Sequence, residues 1–244
     1  DVSRSLTAEQ WGYVRRKAAL AGDHSTAVRL RLVLDLLYAT GLRTAEAVGA
    51  RVGDLLAVDY FDADAAEHVT GWMLSVVGKG QRLREVPVPH ELVEQIGAYM
   101  AHRGLGSDLG APAVQGAYIL GGATDAVERA PGLAGVSGGG RAQAPAGAAG
   151  IAAATLYRQL KDHFRVCSAA LTDAGDHAAA ARLANASTHW LRHTHASHAL
   201  ASGVSLQATQ QNLGHASLST TSAYVTTERA KRLAALQRFW REAS

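Results

Sequence analysis

Apolar residues recur along this chain mostly at the helical step, and they mark out a succession of helices with one β-rich interruption. Thr7 opens T-A-E-Q, a capping box with Gln10, and Trp11, Val14 and Ala18 follow on one face up to a stop at Gly22. From Ser25 the run through Val28, Leu30, Leu32, Val33, Leu34, Leu36 and Leu37 is apolar on most sides, which predicts a deeply buried helix ended by Gly41. A further helix starts just beyond it, with Glu46 one turn in. Residues 72–77 and 83–88 are β-rich and flank G-K-G-Q-R, which predicts a hairpin with Lys79 near its tip. Pro89 then opens a helix whose Leu92, Val93, Ile96, Tyr99 and Met100 share a side, and Gly104 ends it.

Residues 121–150 break the pattern: Gly and Ala dominate and Pro131 and Pro145 interrupt, so this stretch has too little apolar surface to offset its ordering and reads as a flexible surface insertion. Helical spacing resumes with Thr155 as a cap and Leu156, Leu160, Phe164, Cys167 and Leu171 in step, and a short alanine-rich helix follows at 176–183. The next stretch reads STHWLRHTHASHALASGVSLQATQQNLGHASLSTTSAY. Ser187 or Thr188 caps a helix that Gly203 stops, Ser205 caps a second that ends near Leu213, and a third segment from Ser217 or Ser219 presents Tyr224. A final helix from Thr227 carries Leu233, Leu236, Phe239 and Trp240, an apolar stripe that needs a surface to cover. The fold class expected is mainly α with a small antiparallel β-sheet.

At 244 residues and 48% hydrophobic content the chain supports one well-buried core, read as a single domain over 1–244 interrupted by the insertion. A net charge of +3 and a pI near 9.2 are compatible with a polyanionic partner and do not demand one. The single cysteine, Cys167, rules out an internal disulfide and a cysteine-based structural zinc site, and points to a reducing, cytoplasmic location. No stretch approaches the roughly 20 apolar residues of a membrane helix, so no membrane partner is expected.

The helical step from His189 to Arg192 puts both on one face. An arginine is a permanent bidentate phosphate ligand, a histidine moves protons near neutral pH, and a tyrosine can carry a phosphate covalently. Those residue types together suggest phosphoryl transfer through Tyr224. Arg43, taken alone, reads as a solvated arginine near a helix end, and Lys79 as a solvated lysine on a turn. The glycines around Lys79 do not have P-loop spacing, and those at 104, 106 and 110 follow a helix rather than a strand, which excludes a dinucleotide fingerprint.

Taken in order, T-G-L-R with Glu46, the hairpin G-K-G, H-W-L-R-H, L-G-H and the following tyrosine resemble the signature of the tyrosine recombinase (phage integrase) family. The resemblance begins near Leu6 and covers nearly the whole chain, but only the catalytic half of a usual member, with the N-terminal core-binding domain absent from this chain. It implies the fold of the DNA breaking-rejoining enzymes and a site made of Arg43, Lys79, His189, Arg192, His215 and Tyr224, with Glu46 in support. It further implies site-specific cleavage and rejoining of double-stranded DNA through a 3′-phosphotyrosyl bond, without metal, ATP or other cofactor, by a homo-tetrameric synapse that uses the C-terminal helix as a contact. On that view the stripe from Leu233 onward docks on a neighbouring copy, and its loss spares the core. Thr226 departs from the family pattern, standing where many members have a histidine.

Three rival readings accompany this one. The helices on either side of Gly203 are spaced like a helix-turn-helix, with Gln207, Gln210, Gln211 and Asn212 as base readers. His189, His193, His195 and His198 include an i, i+4 pair suited to zinc, although Trp190 replaces the glutamate of H-E-x-x-H and packing explains the last three. Type IB topoisomerases share the covalent tyrosine strategy and relax supercoils instead of exchanging strands.

Overall fold

The computed structural model describes residues 4–78, 83–122, 149–214 and 222–243. At its centre is α2 (Ser25–Thr40), in which every residue from Leu32 to Thr40 is buried. That is the consequence of a sequence apolar on most sides: such a helix has no face to offer to water. Around it stand α1 (Ala8–Ala19), whose Thr7–Gln10 capping box forms both of its reciprocal bonds, and α3 (Thr44–Gly49).

A three-stranded antiparallel sheet follows, β1 (Leu55–Asp62), β2 (Glu67–Val77) and β3 (Leu83–Val88), in the order β1-β2-β3. The expected hairpin is β2–β3, with Leu74 opposite Val86 and Val76 opposite Arg84. β1 was not legible in advance: it is an edge strand whose burial shows no clean alternation, so its sequence lacks the period-two signal. The residues at the hairpin tip, Lys79 among them, lie outside the described residues.

Next come α4 (His90–His102), α5 (Ala153–Asp173), α6 (His177–Asn185), α7 (Thr188–Ala201), α8 (Leu206–Asn212) and α9 (Ser222–Ala243). Helix α5 begins ahead of Thr155, with Ala152 as its cap, so Thr155 is not the cap expected. The expected insertion at 121–150 falls mostly outside the described residues; at its ends Gly121 and Gly150 form an isolated antiparallel bridge. Buried arginines grip that stem, Arg29 on the Gly121 carbonyl and Arg103 on the Ala149 carbonyl. Among the described residues no helix is long and apolar enough to cross a membrane.

The sheet is covered on both faces. Leu74, Val76, Val86 and Val88 point into the main core around α2, whereas Val69 and Met73 pack against Ala230 and Leu233 of α9. Approach there is close: a Cβ on Gly71 would sit 2.6 Å from the Gln237 amide nitrogen. One continuous helix runs through both Tyr224 and the C-terminal stripe, where the sequence pattern suggested two segments. The stripe is not left for a neighbouring copy. Phe239 and Trp240 are 1% and 2% exposed within their own chain, Phe239 5.4 Å from Tyr38 and 5.6 Å from His195 between ring centroids. The surface that the stripe needed is the outer face of the sheet for Leu233 and the aromatic cluster of α1, α2 and α7 for Phe239 and Trp240, and the expectation that its removal spares the core is corrected accordingly.

His195, fully buried, ties α7 to α2 and α8. Its Nδ1 lies 2.7 Å from the Tyr38 carbonyl and its Nε2 2.8 Å from the Asn212 amide nitrogen, a pairing that suits the neutral ring with Nδ1–H donating and Nε2 accepting. Burial pushes its pKa down to about 4, against the opposing pull of the Tyr38 carbonyl.

Two outcomes follow from this packing. Phe239→Ala should lower the free energy of unfolding by about 3–5 kcal/mol, and truncation before Leu233 should abolish cooperative urea unfolding; a truncated chain with a normal transition would contradict the packing. An unfolded chain takes up the His195 proton near pH 6.5, so its contribution is intact above that pH and lost as pH falls towards 4. The melting temperature should drop by roughly 5–10 °C between pH 7 and pH 4.5, and His195→Gln, which cannot titrate, should show a visibly shallower slope.

Candidate active site

Helix α7 projects two of the sequence-predicted residues from its first turns. Arg192 is 7% exposed and turns inward, where it donates from Nη1 to the Gly41 carbonyl at 2.5 Å and from Nη2 to the Leu213 carbonyl. These carbonyls stand just upstream of Arg43 and of His215. Burial, and then the neighbouring Arg43 and Arg84, bring its pKa down to about 10, with Glu46 acting the other way. His189 is exposed, and its Nε2 lies 2.9 Å from Nε2 of His193 one turn on. Partial burial, then Arg192, Arg4 and Arg43, hold the His189 ring below the usual imidazole range.

Gly41 makes the turn that brings Arg43 in. It ends α2 in the left-handed region at φ 62°, and a Cβ there would come within 2.6 Å of the His195 ring. Arg43 then caps α3, its amide donating to Glu46 Oε2 at 2.7 Å and its Nη1 to Oε1 at 3.0 Å. Its side chain keeps 40% of its exposure, while that of Glu46 keeps 3%. Arg84, from β3, reaches the same carboxylate with Nη1 at 2.5 Å and Nη2 at 2.9 Å. Burial alone would raise the Glu46 pKa, but the bonds from Arg84 and from the Arg43 amide outweigh it and the carboxyl sits below its ordinary value.

Arg43, Glu46 and Arg192 are thus brought together, with His189 within their field. Lys79 and His215 lie outside the described residues; Tyr224 falls on α9, with its side chain outside them. The rival sites fare differently. Asn212 is fully buried and donates to the Thr40 carbonyl at 3.0 Å as well as bonding His195, so it is unavailable to read bases. His198 is held between the Tyr38 hydroxyl at 2.9 Å and the Leu6 carbonyl at 3.0 Å. Among the described residues no group of three or more His, Cys, Asp or Glu is placed to hold a metal ion.

Two residues of the cluster have no part in the expected catalytic set. His193 enters only the zinc reading, where packing explains it equally well, and its contact with His189 is what distinguishes it. Arg84 did leave a signal: it shares the inward face of β3 with Val86 and Val88, and an arginine in phase with buried valines needs a buried anion. Three guanidinium groups around one carboxylate leave positive charge in excess, which suits an anionic group bound against it.

Residues 154–231 match the sequence model of the phage integrase family. Over 203 residues the chain is 30% identical to tyrosine recombinase XerC of Pelobacter propionicus, covering 83% of this chain and 49% of that protein. It is 32% identical to tyrosine recombinase XerD of Mycobacterium leprae over 204 residues, 83% of this chain and 49% of the relative. The chain spans about half the length of these curated relatives. Its fold is similar to that of XerH site-specific recombinase, solved bound to its difH substrate in a pre-cleavage complex, with a TM-score of 0.56, 18% identity, and coverage of 93% of this chain and 49% of the other.

Since Glu46 satisfies the Arg43 amide and both forks of Arg84, Glu46→Ala should cost about 3 kcal/mol in urea unfolding, and Glu46→Gln distinctly less. Equal stabilities for the two variants would show that the carboxylate bonds contribute nothing.

Proposed function

The chain belongs to the tyrosine recombinase (phage integrase) family, and on that footing we propose that it cleaves and rejoins double-stranded DNA at a specific recombination site through a 3′-phosphotyrosyl intermediate. The observation that carries the reading is the convergence of Arg43 and Arg192, from separate parts of the sequence, on one cationic cluster beside His189.

In this mechanism Arg43, Arg192 and His215 hold the non-bridging oxygens of the scissile phosphate, where negative charge grows in the transition state. The phenolic oxygen of Tyr224 bonds to phosphorus as the bond to the deoxyribose 5′-oxygen breaks. Its proton passes to His189, and Lys79 gives a proton to the departing oxygen. A phenol with an ordinary pKa near 10 needs such an acceptor, and the depressed pKa of His189 supports the role, because the ring is neutral and able to accept at physiological pH. Glu46 orients its neighbours without reacting. Energy is conserved in the phosphotyrosyl bond, so a free 5′-hydroxyl reverses the step with no ATP, metal or other cofactor, and the outcome is strand exchange.

Exchange between two duplexes involves four strands and hence four nucleophiles, so we place the reaction in a homo-tetramer on DNA, in the cytoplasm where that DNA is. Assembly through the C-terminal helix would require Phe239 and Trp240 to leave their own core.

The test is Tyr224→Phe, which removes one oxygen. Protein mixed with a nicked candidate-site duplex should give, on a denaturing gel, a protein-linked strand that protease removes. The variant should bind the duplex as the unaltered protein does and form at least about a thousandfold less adduct. An adduct that persists in the Phe variant would assign the nucleophile elsewhere.

A further inference from the structure

Arg84 is positioned to do more than neutralise Glu46. Its side chain is 12% exposed, and all three nitrogens of its guanidinium are engaged: the two Nη on the Glu46 carboxylate, and Nε on the Asn212 carbonyl at 3.2 Å. Gly214 lies directly against it, at φ 68°, where a Cβ would meet the Arg84 Cδ at 2.9 Å. Asn212 and Leu213 present consecutive carbonyls at the end of α8, and each is taken by an arginine, the first by Arg84 and the second by Arg192. One side chain therefore touches the carboxylate that caps Arg43 and the turn that leads into His215.

We propose that Arg84 is a positioning residue of the cleavage site, fixing Arg43 through Glu46 on one side and the 212–214 turn ahead of His215 on the other. The proposal rests on the recombinase reading above for its kinetic consequence, and on geometry alone for its structural one. Lysine does not substitute, because an ammonium cannot fork across a carboxylate and hold a carbonyl with a third, fixed donor.

The experiment compares the unaltered protein with Arg84→Lys and with the pair Arg84→Met and Glu46→Gln, which strands no buried carboxylate and keeps the question answerable where the single change fails to fold. Each is measured for affinity to a nicked candidate-site duplex, for the single-turnover rate of adduct formation, and for amide hydrogen exchange at Arg43 and at 212–214 in the free protein. Both variants should bind the duplex within about threefold of normal, form adduct at least about 50-fold more slowly, and exchange those amides about tenfold faster. Affinity falling in step with rate would make Arg84 a DNA contact and overturn the proposal, as would an unchanged rate. Should the unaltered protein form no adduct, the recombinase reading falls, and the exchange decides alone: faster exchange at both places upholds the positioning role, and unaltered exchange at either overturns it.

Discussion

The structure depends most on a charge imbalance held in place by one carboxylate. Arg43, Arg84 and Arg192 act on one another through a half-dry region in which like charges repel more strongly than in water, and Glu46 is the anion among them. Its side chain is almost wholly enclosed, a setting that by itself favours the neutral acid. Hydrogen bonds from Arg84 and from the Arg43 amide reverse that preference and keep it ionised. The same carboxylate closes the first turn of α3, so local helix formation and the electrostatics of the cluster stand on one side chain. What remains after this pairing is net positive charge, arranged in advance of any bound anion, and preorganisation of that kind is what makes electrostatic stabilisation effective.

The second constraint is where the arginines get their other partners. The last carbonyls of a helix have no intrahelical donor and carry partial negative charge. Arg192 takes one at the end of α2, from Gly41, and one at the end of α8, from Leu213; Arg84 takes the carbonyl before the latter. Two helix ends that would otherwise be wetted or frayed are drawn to the same cations. Each end leads directly to a residue of the proposed site, Arg43 in one case and His215 in the other. Orientation of Arg192 and placement of its neighbours are therefore one event, since the carbonyls that aim the guanidinium are in the chain segments that it fixes.

Much of this was legible in the sequence, for identifiable reasons. Helices with a clear apolar period and a cap, such as α1 with its Thr7–Gln10 box and α2 with Gly41 at its end, declare themselves through local chemistry. Arg43, His189 and Arg192 stand out in the sequence because their motifs occur in order, and folding brings Arg43 and Arg192 to neighbouring carboxylate and carbonyl partners. β1 was missed because a mostly exposed edge strand carries little periodicity. The destination of the C-terminal stripe was misjudged for a deeper reason: an apolar face announces that it will be covered and says nothing of whether the cover comes from its own chain or from another. The rival reading of Asn212 as a base reader fails for a similar reason, since its burial against His195 is a tertiary fact.

Strand alternation gives β3 a part that neither the motif nor the helices announce. Successive side chains of a strand point to opposite faces, so Arg84 enters the core face and meets Glu46, while Glu85 turns to the face covered by α9. There the Glu85 carboxylate pairs with Arg229 at 3.2 Å, and the Glu85 carbonyl accepts from Arg232 at 3.0 Å. Farther along α9, Gln237 donates to the Thr70 carbonyl of β2, and Phe239 and Trp240 enter the aromatic cluster around Tyr38. The helix that contains Tyr224 is thus fastened to the same short strand that braces the cationic cluster, by the neighbouring residue and on the other side of the sheet. A disturbance of β3 would reach the cluster through Arg84 and the Tyr224 helix through Glu85 together, and that common bracket explains why a strand of six residues, carrying no motif of its own, is held by charged partners on both faces.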